Sequence, residues 1–257
     1  MPSPAQMVAA TRQPALRQNF ARDWQAMLAH GPVVALHPDD FSTDTWTDAD
    51  GSIGGTYTEA TNPPTKDTST FSNTVLTFDN TELLTYSGTA TDHSFLNTMS
   101  ASYEVFAAVR LTDVASTDYV FSASTAANAG GAFLRLASGA PSVSTANTAG
   151  TAYYFVTHGT SVSADSNNCF RMSHTLSTSL GVAINGGSLT NDTSASGSAG
   201  EAVSSGIVIG GRGDGSASFR LEGHLGPLIM FNKAIPANIV QVCERICGNW
   251  FTIAQQR

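Results

Sequence analysis

The sequence predicts an all-β body of two packed antiparallel sheets, with an N-terminal helix before it and a short C-terminal helix after it. Three observations carry this. From residue 33 onward, short runs of β-branched and aromatic residues alternate with clusters of Gly, Asn, Asp, Ser and Thr, which is the pattern of strands and turns. About 60 Ser and Thr, 23 Gly and 10 Pro stand against only two lysines, Lys66 and Lys233, a balance that excludes a helical bundle. The 257 residues are 41% hydrophobic, enough to bury the core of one domain of ordinary size.

Leu16, Phe20, Trp24 and Met27 or Leu28 recur at helical spacing, so residues 14–29 read as an amphipathic helix. Pro14 suits its first turn, and Gly31-Pro32 stops it. A helix this short is unstable alone and needs a partner surface: either its own sheet or a neighbouring subunit. Residues 1–32 are therefore expected to form an assembly arm, with Leu16, Phe20, Trp24, Met27 and Leu28 as its contact face. Its removal should leave the sandwich, residues 33–257, folded.

Strands are expected over 33–37, 75–78, 103–111, 119–123, 132–137, 153–157, 169–173, 180–185, 207–210, 218–222 and 226–231. In 103–111, Tyr103, Val105, Ala107, Val109 and Leu111 face one way and meet the core. Glu104, Phe106, Ala108 and Arg110 make a mixed opposite face. Asn185-Gly186-Gly187 is a tight-turn signal, because its residues tolerate positive φ. Ile235-Pro236 opens a last helix, with Ile239, Val242, Cys243 and Ile246 on its buried face and Gly248 at its end. Trp250, Phe251 and Ile253 are expected to close an edge or seam of the sandwich.

Net charge is −8, and residues 33–257 carry nine basic against nineteen acidic residues, a poor match for nucleic acid. No run is long and apolar enough for membrane insertion, and residues 1–10 lack the features of a secretory signal. Cys169, Cys243 and Cys247 are an odd, sparse set and read as free thiols; the i, i+4 pair Cys243 and Cys247 lacks the further ligands of a zinc site.

Four stretches resemble the concanavalin A-like superfamily, in particular the laminin-G-like domains of bacterial and bacteriophage surface proteins. Val75-Leu76-Thr77-Phe78-Asp79-Asn80 is similar to an early strand ending in Phe-Asp-Gly, with Asn in place of Gly. Residues 102–111 are similar to the long hydrophobic strand, and 180–186 to the strand ending in Asn-Gly. Ile207-Val208-Ile209-Gly210-Gly211, residues 219–223, residues 225–234 and the helix 239–246 resemble the closing strands and helix, and Gly248-Asn249-Trp250 their ending. The resemblance implies a two-sheet jelly roll over residues 33–257.

Superfamily members that are glycosidases place two carboxylates on one strand in a Glu-x-Asp-x-x-Glu pattern, which is absent here. The six histidines show no metal-ligand spacing, and no nucleotide or hydrolase motif occurs, so no enzymatic activity is expected. The resemblance implies calcium as the candidate ion. Asp44, Asp48 and Asp50 are the candidate oxygen ligands, with Asp113 and Asp118 a second pair and a solvated acidic turn the alternative. Trp46, Tyr57, Tyr86, Tyr153 and Tyr154 are candidate stacking platforms for sugar, with a place in the core as the alternative. Arg212-Gly213-Asp214 reads as an ordinary turn.

The expectation is a lectin-like structural, decoration, spike or fibre component of a virion, assembled in the host cytoplasm. Its partners would be other virion proteins, held through the arm, host surface glycan and further copies of itself. A bacterial surface carbohydrate-binding or adhesion module is the alternative, and a degenerate glycoside hydrolase a third reading.

Overall fold

The computed structural model describes residues 20–59, 61–97, 101–123, 131–146, 152–176, 178–197 and 207–251. Among them two antiparallel sheets face each other. The eight-stranded sheet runs Thr190–Asp192, Ser179–Ile184, Asn168–Thr175, Tyr103–Leu111, Glu222–Phe231, Val75–Asp79 and Thr65–Asp67, with Val34–Leu36 paired to the second half of Glu222–Phe231. The ten-stranded sheet runs Ser196–Gly197, Ala152–Thr157, Ala140–Ala146, Phe133–Ala137, Thr117–Ser122, Val208–Ile209, Leu84–Tyr86, Thr56–Thr58, Thr45–Thr47 and Phe41–Ser42. The all-β sandwich with an N-terminal and a C-terminal helix is thus as expected.

Alternation along Tyr103–Leu111 explains how the layers form. Tyr103, Val105, Ala107, Val109 and Leu111 point into the core between the sheets. The opposite face is more apolar in its setting than the sequence reading had it, since Phe106 and Ala108 enter a second core. That second core lies between the eight-stranded sheet and two helices, α1 (residues 20–28) and α2 (Ala237–Gly248). No helix among the described residues is long and apolar enough to cross a membrane.

Of the expected arm, residues 20–32 are described, and their helix packs on the body. Trp24 and Met27 are buried against Ala35, Phe106 and Ile229, and Phe20 and Leu28 pack beside them; Leu16 lies outside the described residues. Asp23 accepts two hydrogen bonds from Arg245 of α2, both 3.0 Å, and the Trp24 indole donates to Asp50 at 2.9 Å. The short helix finds its apolar partner on the nearest uncovered sheet face. Cutting residues 1–32 would remove two large core side chains, each worth roughly 1.5–3 kcal/mol of burial, so that truncation does not isolate a function of the arm.

Trp250 and Phe251 likewise close the second core rather than a sandwich edge, and Ile253 lies outside the described residues. Cys169, Cys243 and Cys247 are free and buried in the same layer, where burial pushes the Cys243 and Cys247 thiols well up and leaves them protonated. Residues 218–222 are not one strand: a 3-10 turn, Ala217–Phe219, precedes the last strand.

Asn80 takes φ 70, a conformation that Asn tolerates better than most residues. Its N–H donates to the Leu221 carbonyl at 3.0 Å.

Candidate functional site

Four of the five expected sugar platforms are core residues. Trp46, Tyr57, Tyr86 and Tyr154 are buried between the sheets, so no ring face is open to a ligand. Their polar atoms are spent inside: Trp46 Nε1 donates to the His37 carbonyl at 2.7 Å, the Tyr57 hydroxyl meets His93 Nε2 at 2.9 Å, and the Tyr86 hydroxyl donates to Asp92 at 2.8 Å. The signal was present in Thr45-Trp46-Thr47 and Thr56-Tyr57-Thr58, where alternation sends the single aromatic inward. Tyr153 alone is half-buried, on the outer face of the ten-stranded sheet.

Asp44, Asp48 and Asp50 do not converge, and no group of three or more His, Cys, Asp or Glu among the described residues is arranged to hold a metal. Asp48 is buried and accepts from the Ala35 and Gly51 amides at 3.1 and 2.8 Å. A Cβ on Gly51 would lie 2.3 Å from that carboxylate, which is why glycine stands there. Asp50 is held by Trp24, and Asp44 accepts from Thr45 at 2.9 Å. Asp113 caps its own turn through the Val114 and Ala115 amides.

Asp118 links the sheets: it accepts from the Glu222 amide at 3.1 Å and the Ser116 hydroxyl at 3.0 Å. Burial pushes its carboxyl up to about 6. The folded state thus holds this proton more tightly than the unfolded chain, so its contribution to stability is full below about pH 4 and is lost as pH rises through 6. His93, lowered to about 4 by burial, acts with the opposite sign, losing stability as pH falls. Asp118→Asn can still accept the Glu222 N–H on its amide oxygen and donate from its NH2 to the Ser116 hydroxyl, and is expected to remove on the order of 2 kcal/mol of that pH dependence. Urea unfolding of both proteins at pH 4, 5, 6 and 7 checks this; parallel curves would sink it.

An open cleft of about 590 Å³ lies at the rim of the sandwich. One wall is the turn after Ser179–Ile184, where Asn185 and Gly186 take φ 52 and 75. Asn185 is fixed by Cys169, accepting its N–H at 2.7 Å and donating its own N–H to its carbonyl at 2.8 Å, and by a 3.1 Å donation to Asn168 Oδ1. The other wall is the turn after Ala152–Thr157, in which His158 Nδ1 accepts from the Thr160 amide at 3.1 Å. Hydroxyls and amides of Thr160, Ser161, Asn168 and Ser188 line the cleft beside Val162 and Leu189, with no carboxylate among the described lining residues. Such a lining suits exchange of hydrogen bonds with a polyhydroxylated ligand and supplies no acid and base pair for bond cleavage. Sequence reading marked Asn185 as a turn residue only; that the distant 158–162 segment faces it is a matter of sheet pairing.

A second feature lies on the outer face of the ten-stranded sheet. Leu134 and Leu136 face the core, which turns Phe133 and Arg135 outward. Arg135 lies over the rings of Phe133, Phe155 and Tyr119, at 5.0, 5.5 and 5.9 Å, and donates to the Tyr119 hydroxyl at 3.2 Å. Nearby, Arg212 and Asp214 pair with each other at 2.6 Å, and the Arg212 guanidinium covers Phe219 at 3.9 Å. The Arg-Gly-Asp string is thus a turn closed on itself.

No family model matches this sequence, and no curated protein does. Among solved structures, the binding domain of Paraclostridial Mosquitocidal Protein 1 is similar, with a TM-score of 0.58 and 11% identity over 85% of this chain and 52% of that one. Botulinum neurotoxin type C, whose cell entry depends on interaction with two ganglioside molecules, has a TM-score of 0.55 and 9% identity over 87% of this chain and 53% of that one. The binding domain of botulinum neurotoxin serotype D has a TM-score of 0.54 and 8% identity over 84% and 50%. This chain therefore spans about half the length of each. The likeness establishes the β-sandwich fold.

Proposed function

We propose that this protein is a non-enzymatic carbohydrate-binding module that holds glycan in the rim cleft between residues 158–162 and the Asn185 turn. The observation that carries this reading is the cleft's lining: hydroxyl, amide and imidazole groups beside small apolar patches, with no carboxylate among those described. The sandwich it shares with toxin structures, one of them of a toxin whose cell entry depends on gangliosides, supports the reading. The setting proposed is a virion surface, as a laminin-G-like spike, fibre or decoration component presenting several copies to host glycan. A bacterial surface module would use the same cleft.

The test is a glycan array followed by titration of any glycan retained. Ser188→Trp, at an exposed position on the cleft wall, is expected to weaken binding at least tenfold without lowering the melting temperature. Because no three His, Cys, Asp or Glu side chains among the described residues are arranged to hold a metal, chelator should leave binding unchanged. Equal affinity of wild type and Ser188→Trp would remove the cleft from the reading, and an empty array would end it.

A further inference from the structure

We infer that the glycan site extends from the cleft onto the outer face of the ten-stranded sheet, where Arg135 receives a carboxylate, so that the preferred ligand is an acidic oligosaccharide. This rests on the carbohydrate-binding reading and names the class of sugar.

The argument starts from how the arginines are partnered. Arg110, Arg171, Arg212 and Arg245 each hold a carboxylate within 3.1 Å. Arg135 has none among the described residues. Its Nε is buried without a hydrogen-bond partner, and its hydrogen bond to the Tyr119 hydroxyl uses only one of five donors. Three aromatic rings hold the guanidinium by attraction between cation and ring, which fixes its orientation and does not neutralise it. Arg212, paired with Asp214, covers Phe219 at 3.9 Å, and the Phe219 ring meets Tyr119 with centroids 6.0 Å apart, so a second guanidinium stands near this cluster in a chain whose net charge is −8. A planar, preorganised, unpaired guanidinium has the shape of a carboxylate receptor, and the half-buried rings of Phe155 and Phe219 beside it offer apolar surface to a sugar face.

Strand register connects this group to the cleft. Arg135 pairs with Ser142, and Ser142 with Thr157, whose hydroxyl it meets at 2.9 Å; His158, the next residue, lines the cleft. Arg135 is thus two strands, about 10 Å, from the strand that runs into the cleft wall.

The experiment titrates the full chain with a uronate oligosaccharide and a sialyl oligosaccharide, each beside its carboxyl-reduced counterpart and a panel of neutral glycans. A carboxylated ligand should bind at least tenfold more tightly than its reduced form, and Arg135→Gln should abolish that preference. Arg135→Lys, which keeps the charge and loses the fork, should recover part of it. Circular dichroism and thermal unfolding establish that both variants are folded. Equal binding of the carboxylated and reduced ligands, or a preference unchanged in Arg135→Gln, overturns this inference and leaves the carbohydrate-binding reading standing. No binding of any glycan, neutral or acidic, overturns both.

Discussion

Trp250→Ala is expected to destabilise the protein by about 3–5 kcal/mol, the range for removing a large buried aromatic side chain. Trp250 is fully buried, and its ring meets Phe20 of α1 and His37 with centroids 5.0 and 5.1 Å away. It is also tied to the sheet, donating from Nε1 to the Thr74 carbonyl at 2.7 Å and accepting from Asn73 at 2.9 Å. Gly226 of the last strand leaves room for it, since a Cβ there would lie 2.6 Å from the indole. One side chain therefore joins both helical segments to the eight-stranded sheet. In a domain of this size the loss corresponds to a fall in melting temperature of roughly 10 °C. Trp250→Phe, which keeps most of the packing and drops the hydrogen bond, should cost only about 1–2 kcal/mol. Chemical denaturation of the three proteins checks this, and a cost below about 1 kcal/mol for Trp250→Ala would mean that the helical layer unfolds separately from the sandwich.

The second large effect is expected at the ion pair beneath α2. Glu104 is 6% exposed and accepts from Arg171 at 2.9 and 3.0 Å and from the Ser173 hydroxyl at 2.8 Å. The two strands carrying these residues are neighbours, with Ser173 opposite Glu104 and Arg171 opposite Phe106. Arg171→Met strands a buried carboxylate and should cost about 3–5 kcal/mol. The double variant Glu104→Leu with Arg171→Met removes both charges at once. It is expected to recover most of that loss, because desolvating the pair offsets much of its attraction. A double-mutant cycle by urea denaturation reads the coupling; additive costs would show that the two groups do not act as a pair.

Much of the fold was legible because its signals are local. Alternation set the two faces of Tyr103–Leu111, the Asn185-Gly186-Gly187 turn reversed the chain, and the Pro236 and Gly248 boundaries bracketed α2 to within a residue. The short strands between residues 41 and 67 escaped because Thr and Ser alternate with few apolar residues there, leaving little contrast to read. Ala140–Ala146 escaped for the same reason. The aromatic residues expected to bind sugar were misplaced because composition says that an aromatic is present, whereas only its position within a Thr-x-Thr strand says which way it faces.

The sequence by itself determined the strand-rich class, the two terminal helices and the principal turns, all of which depend on residues within one or two turns of each other. The tertiary structure alone decided that α1 folds back to pair Asp23 with Arg245, 222 residues away, and that residues 158–162 face the Asn185 turn. It also decided that Arg135 stands among three rings, with no carboxylate beside it among the described residues. Those outcomes follow from sheet order and cross-strand register, which are set by the joint burial of every strand and are carried by no single segment.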